Sequence, residues 1–202
     1  MPWPLGVVAI VYGSRPIREA ARLAREHGFA HIDTGADVPD DLAVPIGDRF
    51  SMLPRSGCSS GPAPEGMRSW EQTVKDFRKH PDVLMEPWPG SVVGSNEAVL
   101  AMLDEVPGLR LNLDVGHVTA WGGDPIELFP YATHVQLRQA RPGQTQALAG
   151  DVDIPGILKR LAALDYEGLL SIEYFDLPDR GWPFDDPVAA ALEIASQVRR
   201  LL

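Results

Sequence analysis

Residues 83–117, "VLMEPWPGSVVGSNEAVLAMLDEVPGLRLNLDVGH", decide the fold. The apolar run "VLME" reads as a strand, a helix begins at about Ser95, and "LRLNLDV" reads as the next strand. Strands joined through a helix run parallel, with the helix packed outside the sheet. Both strands carry an acid near the carboxyl end, Glu86 and Asp114, at the rim where parallel α/β folds place their sites.

The same alternation extends in both directions. Upstream, "GVVAIVY" (6–12) is a β-branched run suited to a strand buried on both faces. In "SRPIREAARLAREHG" Ile17, Ala20, Ala21 and Ala24 fall on one helical face, with Ser14 as N-cap and Gly28 as the stop, before a second strand in "AHIDTG". Ser69 and Gln72 form a capping box ahead of a helix carrying Trp70, Val74 and Phe77. Downstream, Asp124, Pro125 and Glu127 start a short helix before "HVQLR". Asp153 caps a helix that Gly168 ends ahead of "LLSIEYF", and Asp186 with Pro187 opens the last helix. Positions 35–68 break the rhythm, with at most one short strand, "LAVPI", and much turn chemistry.

"HVQLRQ" (134–139) adds a second kind of signal. In a strand His134, Gln136 and Arg138 share one face while Val135 and Leu137 take the other. A core does not favour three polar groups on its inner face, since each unpartnered buried atom costs about 1–3 kcal/mol. A ligand site does. Four strand ends thus carry an acid or amide: Glu86, Asp114, Gln136 and Glu173. Converging carboxylates repel one another unless a cation joins them, and an all-oxygen set suits Mg²⁺ or Mn²⁺. On this reading Gln136 is the neutral ligand, and Arg138, nearer the mouth, meets an anionic substrate group. His134 fills the interior with one hydrogen bond, and His117 touches substrate or orients a neighbour. Taken singly, an acid at a strand end is more often a helix cap or a solvated group. Asp33 is a substrate contact or a turn cap, and Trp88 and Tyr174 form an apolar wall over the site or part of the core.

Composition narrows the partners. The chain has 202 residues, 45% hydrophobic, which suits one domain spanning 1–202. Eighteen basic against 28 acidic residues give a formal charge of -10, unfavourable for nucleic acid or an anionic membrane. A single cysteine, Cys58, permits no internal disulfide and points to a cytoplasmic location, with the thiol a bystander in a Gly/Ser/Pro-rich loop. No apolar run reaches the roughly 18 residues of a membrane span.

"EPWPGS", "LDVGH", "HVQLRQARPGQ" and "LLSIEYF", in this order and spacing, resemble the xylose-isomerase-like TIM-barrel superfamily of sugar isomerases and epimerases, which also contains abasic-site endonucleases. "HVQL" followed by a Pro-Gly turn is most similar to its hydroxypyruvate-isomerase branch. The resemblance implies a (β/α) barrel in which Glu86, Asp114, Gln136 and Glu173 hold one divalent metal and His117 contacts substrate. A full barrel takes about 250 residues, so this one is expected to be incomplete or distorted, lacking one or two βα units between residues 35 and 80. The endonuclease branch needs additional histidines, and this chain has five in all. The expected activity is metal-dependent isomerisation or epimerisation of a small sugar or hydroxy-carbonyl compound, with Glu86 and Glu173 moving the proton through an enediolate. Two alternatives stand beside it: a degenerate barrel binding a metabolite or protein without turnover, and a lyase or dehydratase using the same metal. An open barrel side would be shielded by a homo-oligomer.

Overall fold

The computed structural model describes residues 3–35, 38–50 and 69–202. Seven strands are present: β1 (Leu5–Val8), β2 (Ile32–Gly35), β3 (Ile46–Phe50), β4 (Leu84–Met85), β5 (Arg110–Asp114), β6 (Ala132–Leu137) and β7 (Leu169–Ile172). Six α-helices accompany them: α1 (Ile17–Glu26), α2 (Trp70–Lys79), α3 (Asn96–Glu105), α4 (Val115–Trp121), α5 (Ile154–Ala163) and α6 (Pro187–Leu201). All strand pairings are parallel, and the sheet order is β3-β2-β1-β7-β6-β5-β4. The first strand therefore pairs with the last, Leu5 opposite Leu170 and Val7 opposite Ile172, as in a sheet curling toward closure. Among the described residues the two edges are β3 and β4, which flank the segment where the sequence loses its rhythm. The molecule is a seven-stranded, incomplete TIM-like barrel, as the sequence indicates.

Local chemistry sets most element boundaries. Ser69, Ser95, Asp114, Asp153 and Asp186 each accept a backbone N–H at a helix start, satisfying donors the first turn leaves open. Outward-facing strand residues such as Val135, Leu137, Leu170 and Ile172 are completely buried, together with Ile157, Leu158 and Leu161 of α5 and Ala191, Ile194 and Ala195 of α6.

Several boundaries differ from expectation. The run "GVVAIVY" is a strand only to Val8 and then a 3₁₀ turn over Ala9–Tyr12, because apolar content alone does not separate the two. Pro16, not Ser14, precedes α1, and no side chain caps that helix. Ser69 accepts from the Gln72 backbone, but the Gln72 amide bonds Asp76, so the capping box is half formed. After α5 the positive φ falls on Asp165 (50°) rather than on a glycine. Gly168 instead permits a close approach, since a Cβ there would lie 2.3 Å from the Thr133 carbonyl. The expected strand "LAVPI" lies a few residues early, β3 beginning at Ile46. Cys58 and the loop around it lie outside the described residues. No helix among the described residues is long and apolar enough to cross a membrane.

Candidate functional site

Two polar layers fill the inside of the barrel. The deeper one joins four strands and their approaches. His134 on β6 places Nε2 3.2 Å from Asp33 Oδ2 and Nδ1 3.3 Å from Asp48 Oδ2. Ser171 Oγ on β7 lies 3.1 Å from Nε2 of both His134 and His31. Asp33 Oδ1 accepts the Asp48 backbone N–H at 2.9 Å. Glycines make this layer possible: a Cβ on Gly6 would sit 2.0 Å from the His31 ring and one on Gly47 2.1 Å from it. Burial opposes charge on His134, but Asp33 and Asp48 together outweigh it and raise its pKa to about 9. His31 has the opposite balance, burial outweighing Asp33 and lowering its pKa.

The upper layer lies at the carboxyl ends of β4 to β7. Asp114 ends β5 and also caps α4, its Oδ1 accepting from Gly116 N (2.7 Å) and His117 N (3.2 Å). That same Oδ1 accepts from Arg138 Nε at 3.1 Å, and Oδ2 accepts from Arg138 Nη2. Arg138 Nη1 lies 3.5 Å from Glu173 Oε2. Glu86, Asp114 and His117 each bring one potential ligand atom within 4.8 Å of the others. Gln136, fully buried on the inner face, accepts from Asn112 Nδ2 at 3.1 Å.

Charge in so little water is finely balanced. Burial pushes Asp114 up, yet Arg138, with His117 and the helix-start amide of Gly116, holds it below the ordinary carboxylate range. Burial raises Glu86 to about 7, the neighbouring Asp114 adding to the effect. Glu173 is raised well above its ordinary value by burial and by the other two carboxylates, against the pull of Arg138. Burial lowers His117 to about 4, so its imidazole is neutral at pH 7. A neutral His117 donates through Nδ1 to the Pro87 carbonyl, 3.0 Å away, which leaves Nε2 as an acceptor.

These residues fit a divalent cation. The donor set is two carboxylates and a neutral imidazole, with a third carboxylate and a side-chain amide beside them. Glu173 Oε2, Gln136 Nε2 and Asn112 Oδ1 are buried without hydrogen-bond partners. Exchanging O and N in the Asn112–Gln136 amide pair would keep their mutual bond and present the Gln136 oxygen at the unpartnered position.

Of the four strand-end residues, Glu86 and Asp114 come together with His117, Glu173 reaches them through Arg138, and Gln136 is bonded to Asn112 on the adjacent strand. Two placements depart from expectation. Arg138 is not at the mouth: it is fully buried, and its charge is spent on Asp114 because no water reaches it there. Asp33, also fully buried, belongs to the lower layer with His134 rather than to a turn or the mouth. Trp88 does join an aromatic wall, but Tyr174 is buried with its hydroxyl turned to the loop after β6, accepting from Gln139 N and donating to the Ala147 carbonyl. Its expected place is taken by Phe175 and Trp182, with ring centroids 5.6 Å apart, and Trp182 in turn lies 6.1 Å from Trp88. His31, Asp48, Asn112, Ser171 and Trp182 were not singled out by sequence. Alternation in "HID" and "IGD" places His31, Asp33 and Asp48 on inner faces and was the available signal.

A parallel α/β barrel with converging acids at the carboxyl rim defines the class. The sequence model of the xylose isomerase-like TIM barrel family matches residues 63–198, and the chain belongs to that family. A search of curated proteins found no match. Among solved structures, D-allulose 3-epimerase from Methylomonas sp. is similar over 100% of this chain and 98% of its own, with 17% identity and a TM-score of 0.73. L-ribulose 3-epimerase is similar over 98% and 96%, with 15% identity and a TM-score of 0.69. An AP endonuclease, family 2, from Brucella melitensis is similar over 97% and 99%, with 17% identity and a TM-score of 0.68. At such identities the likeness is one of fold.

Proposed function

We propose that this chain is a divalent-metal-dependent isomerase or epimerase of a small sugar or hydroxy-carbonyl compound. The observation that carries the reading is the convergence of the half-buried Glu86 with the buried Asp114 and His117 within 4.8 Å, with Glu173 and Gln136 buried at the neighbouring strands. Fold relatives that include a D-allulose 3-epimerase solved with D-allulose bound support a ketose as substrate class.

Glu86, Asp114, Gln136 and Glu173 would hold the cation, with His117 Nε2 available to it or to a substrate hydroxyl. Bound there, Mg²⁺ or Mn²⁺ would polarise the substrate carbonyl and acidify the adjacent C–H. Glu86 would be the first acid–base group, taking the proton as a carboxylate held beside the substrate. Glu173 is the second carboxyl, returning a proton to the opposite face or the neighbouring carbon. Trp88, Trp182 and Phe175 offer apolar surface to a sugar's C–H face and exclude water.

Purified protein incubated with Mn²⁺ and a panel of ketoses in D₂O is expected to wash deuterium into the position next to the carbonyl, read by NMR. Glu173→Gln should stay folded and lose this exchange by about 10²-fold or more. Retention of near-normal exchange in that variant, or no exchange on any member of the panel, sinks the proposal. The buried Arg138–Asp114 pair favours a second reading, a barrel that binds a metabolite without turnover and without metal. Elemental analysis separates them: a stoichiometric divalent ion supports the enzyme, a metal-free protein the binder.

A further inference from the structure

Arg138 has no exposed surface and is held by more than one acid. Its fork spans both oxygens of Asp114, and the face of the Phe175 ring lies 5.0 Å from its Cζ. Its stem runs through a notch that only glycine leaves open. A Cβ on Gly116 would meet Arg138 Nε at 2.5 Å and Cγ at 2.7 Å. This is a seated side chain in a shaped slot.

The two oxygens of Asp114 differ in what they have left to give. Oδ1 already accepts three N–H groups, from Gly116, His117 and Arg138 Nε. Oδ2 accepts one, from Arg138 Nη2. Oδ2 is therefore the Asp114 oxygen with capacity left for a cation, and Arg138 Nη2 already occupies it. Guanidinium does not lose its proton in proteins, so two positive charges would contend for one oxygen in a largely buried site where screening is weak. Nη1 makes no hydrogen bond and stands 3.5 Å from an equally unpartnered Glu173 Oε2.

We infer that Arg138 is a built-in counter-cation of this site, and that a divalent ion reaches Asp114 only by driving the guanidinium off Oδ2. The inference rests on the metal-site reading above and adds that the metal affinity of this chain is set by a competition with its own side chain.

Mn²⁺ titrations of the full chain, followed by the EPR signal of free ion, test it. Arg138→Met is expected to bind Mn²⁺ about tenfold or more tightly than the unaltered protein. Added guanidinium ion at millimolar concentration should weaken binding to Arg138→Met while leaving the unaltered protein unaffected. A second measurement needs no variant. In protein with ¹⁵N-labelled arginine, the Nε–H resonance most protected from solvent should shift as Mg²⁺ is added. Tight Mn²⁺ binding that Arg138→Met leaves unchanged or weakens, or an arginine resonance that stays still while Mg²⁺ binds, overturns the competition and leaves the metal-site reading intact. Absence of binding in every form overturns both.

Discussion

His134 shows how much one side chain in this barrel depends on partners from elsewhere. The sequence places it on the inner face, and alternation alone justifies that. It does not foretell that Asp33 from β2, Asp48 from β3 and Ser171 from β7 all meet it, since those contacts are set by how the strands are staggered. Its pKa is raised to about 9 against an ordinary 6.5. A histidine whose folded-state pKa is raised contributes stability that is fully present below about 6.5 and is lost as pH climbs through about 9. Thermal unfolding midpoints measured from pH 6.5 to 9.5 should therefore fall, and His134→Gln should flatten that slope. An equal slope in the variant would assign the pH dependence to other groups. Arg138 was legible as an inner-face cation and not as a buried one, because a strand's period gives direction without depth.

At the scale of elements, the strand ends serve two purposes. Asp114 closes β5, caps α4 and faces the acidic layer, so the cap signal and the site signal coincide in one residue. This is why "LDVGH" can be read either as a helix start or as a ligand. Where the two roles are separate, the cap is the simpler case to measure. Ser95 accepts the Ala98 N–H at the start of α3 and touches none of the site residues described. Ser95→Ala is expected to cost about 1 kcal/mol in urea denaturation, with the Mn²⁺ affinity unchanged. Caps and apolar faces were legible throughout because each depends on three or four adjacent residues. The boundary errors at β1, α1 and α5 arose where one apolar or turn-forming stretch suits two backbone states of similar energy.

For the whole molecule, the alternating order of strands and helices was enough to give a parallel sheet with helices outside it, while the barrel and its shortened first half came from the family resemblance and the chain's length. The alternation does not give the closing pair, since β1 and β7 are remote in sequence and nothing local marks them as neighbours. The resulting sheet order makes a gradient of protection measurable by hydrogen exchange. Amides of β1, β6 and β7, bonded on both sides, should exchange slowest. Those of β4, with two residues and one neighbour among the described residues, should exchange fastest among the strands. Equal protection in β4 and β6 would mean that another segment or a second subunit covers that edge.

The position of β1 has one more consequence. Among the described residues it is the strand bonded to both β2 and β7, so the half of the sheet that bears Asp33 and Asp48 is tethered to the half that bears His134 through this four-residue segment. It acts as the keystone of the arch. Loosening it by a single proline would unhook one bank of charges from the other, and the acidic cavity would lose its floor before it lost its walls.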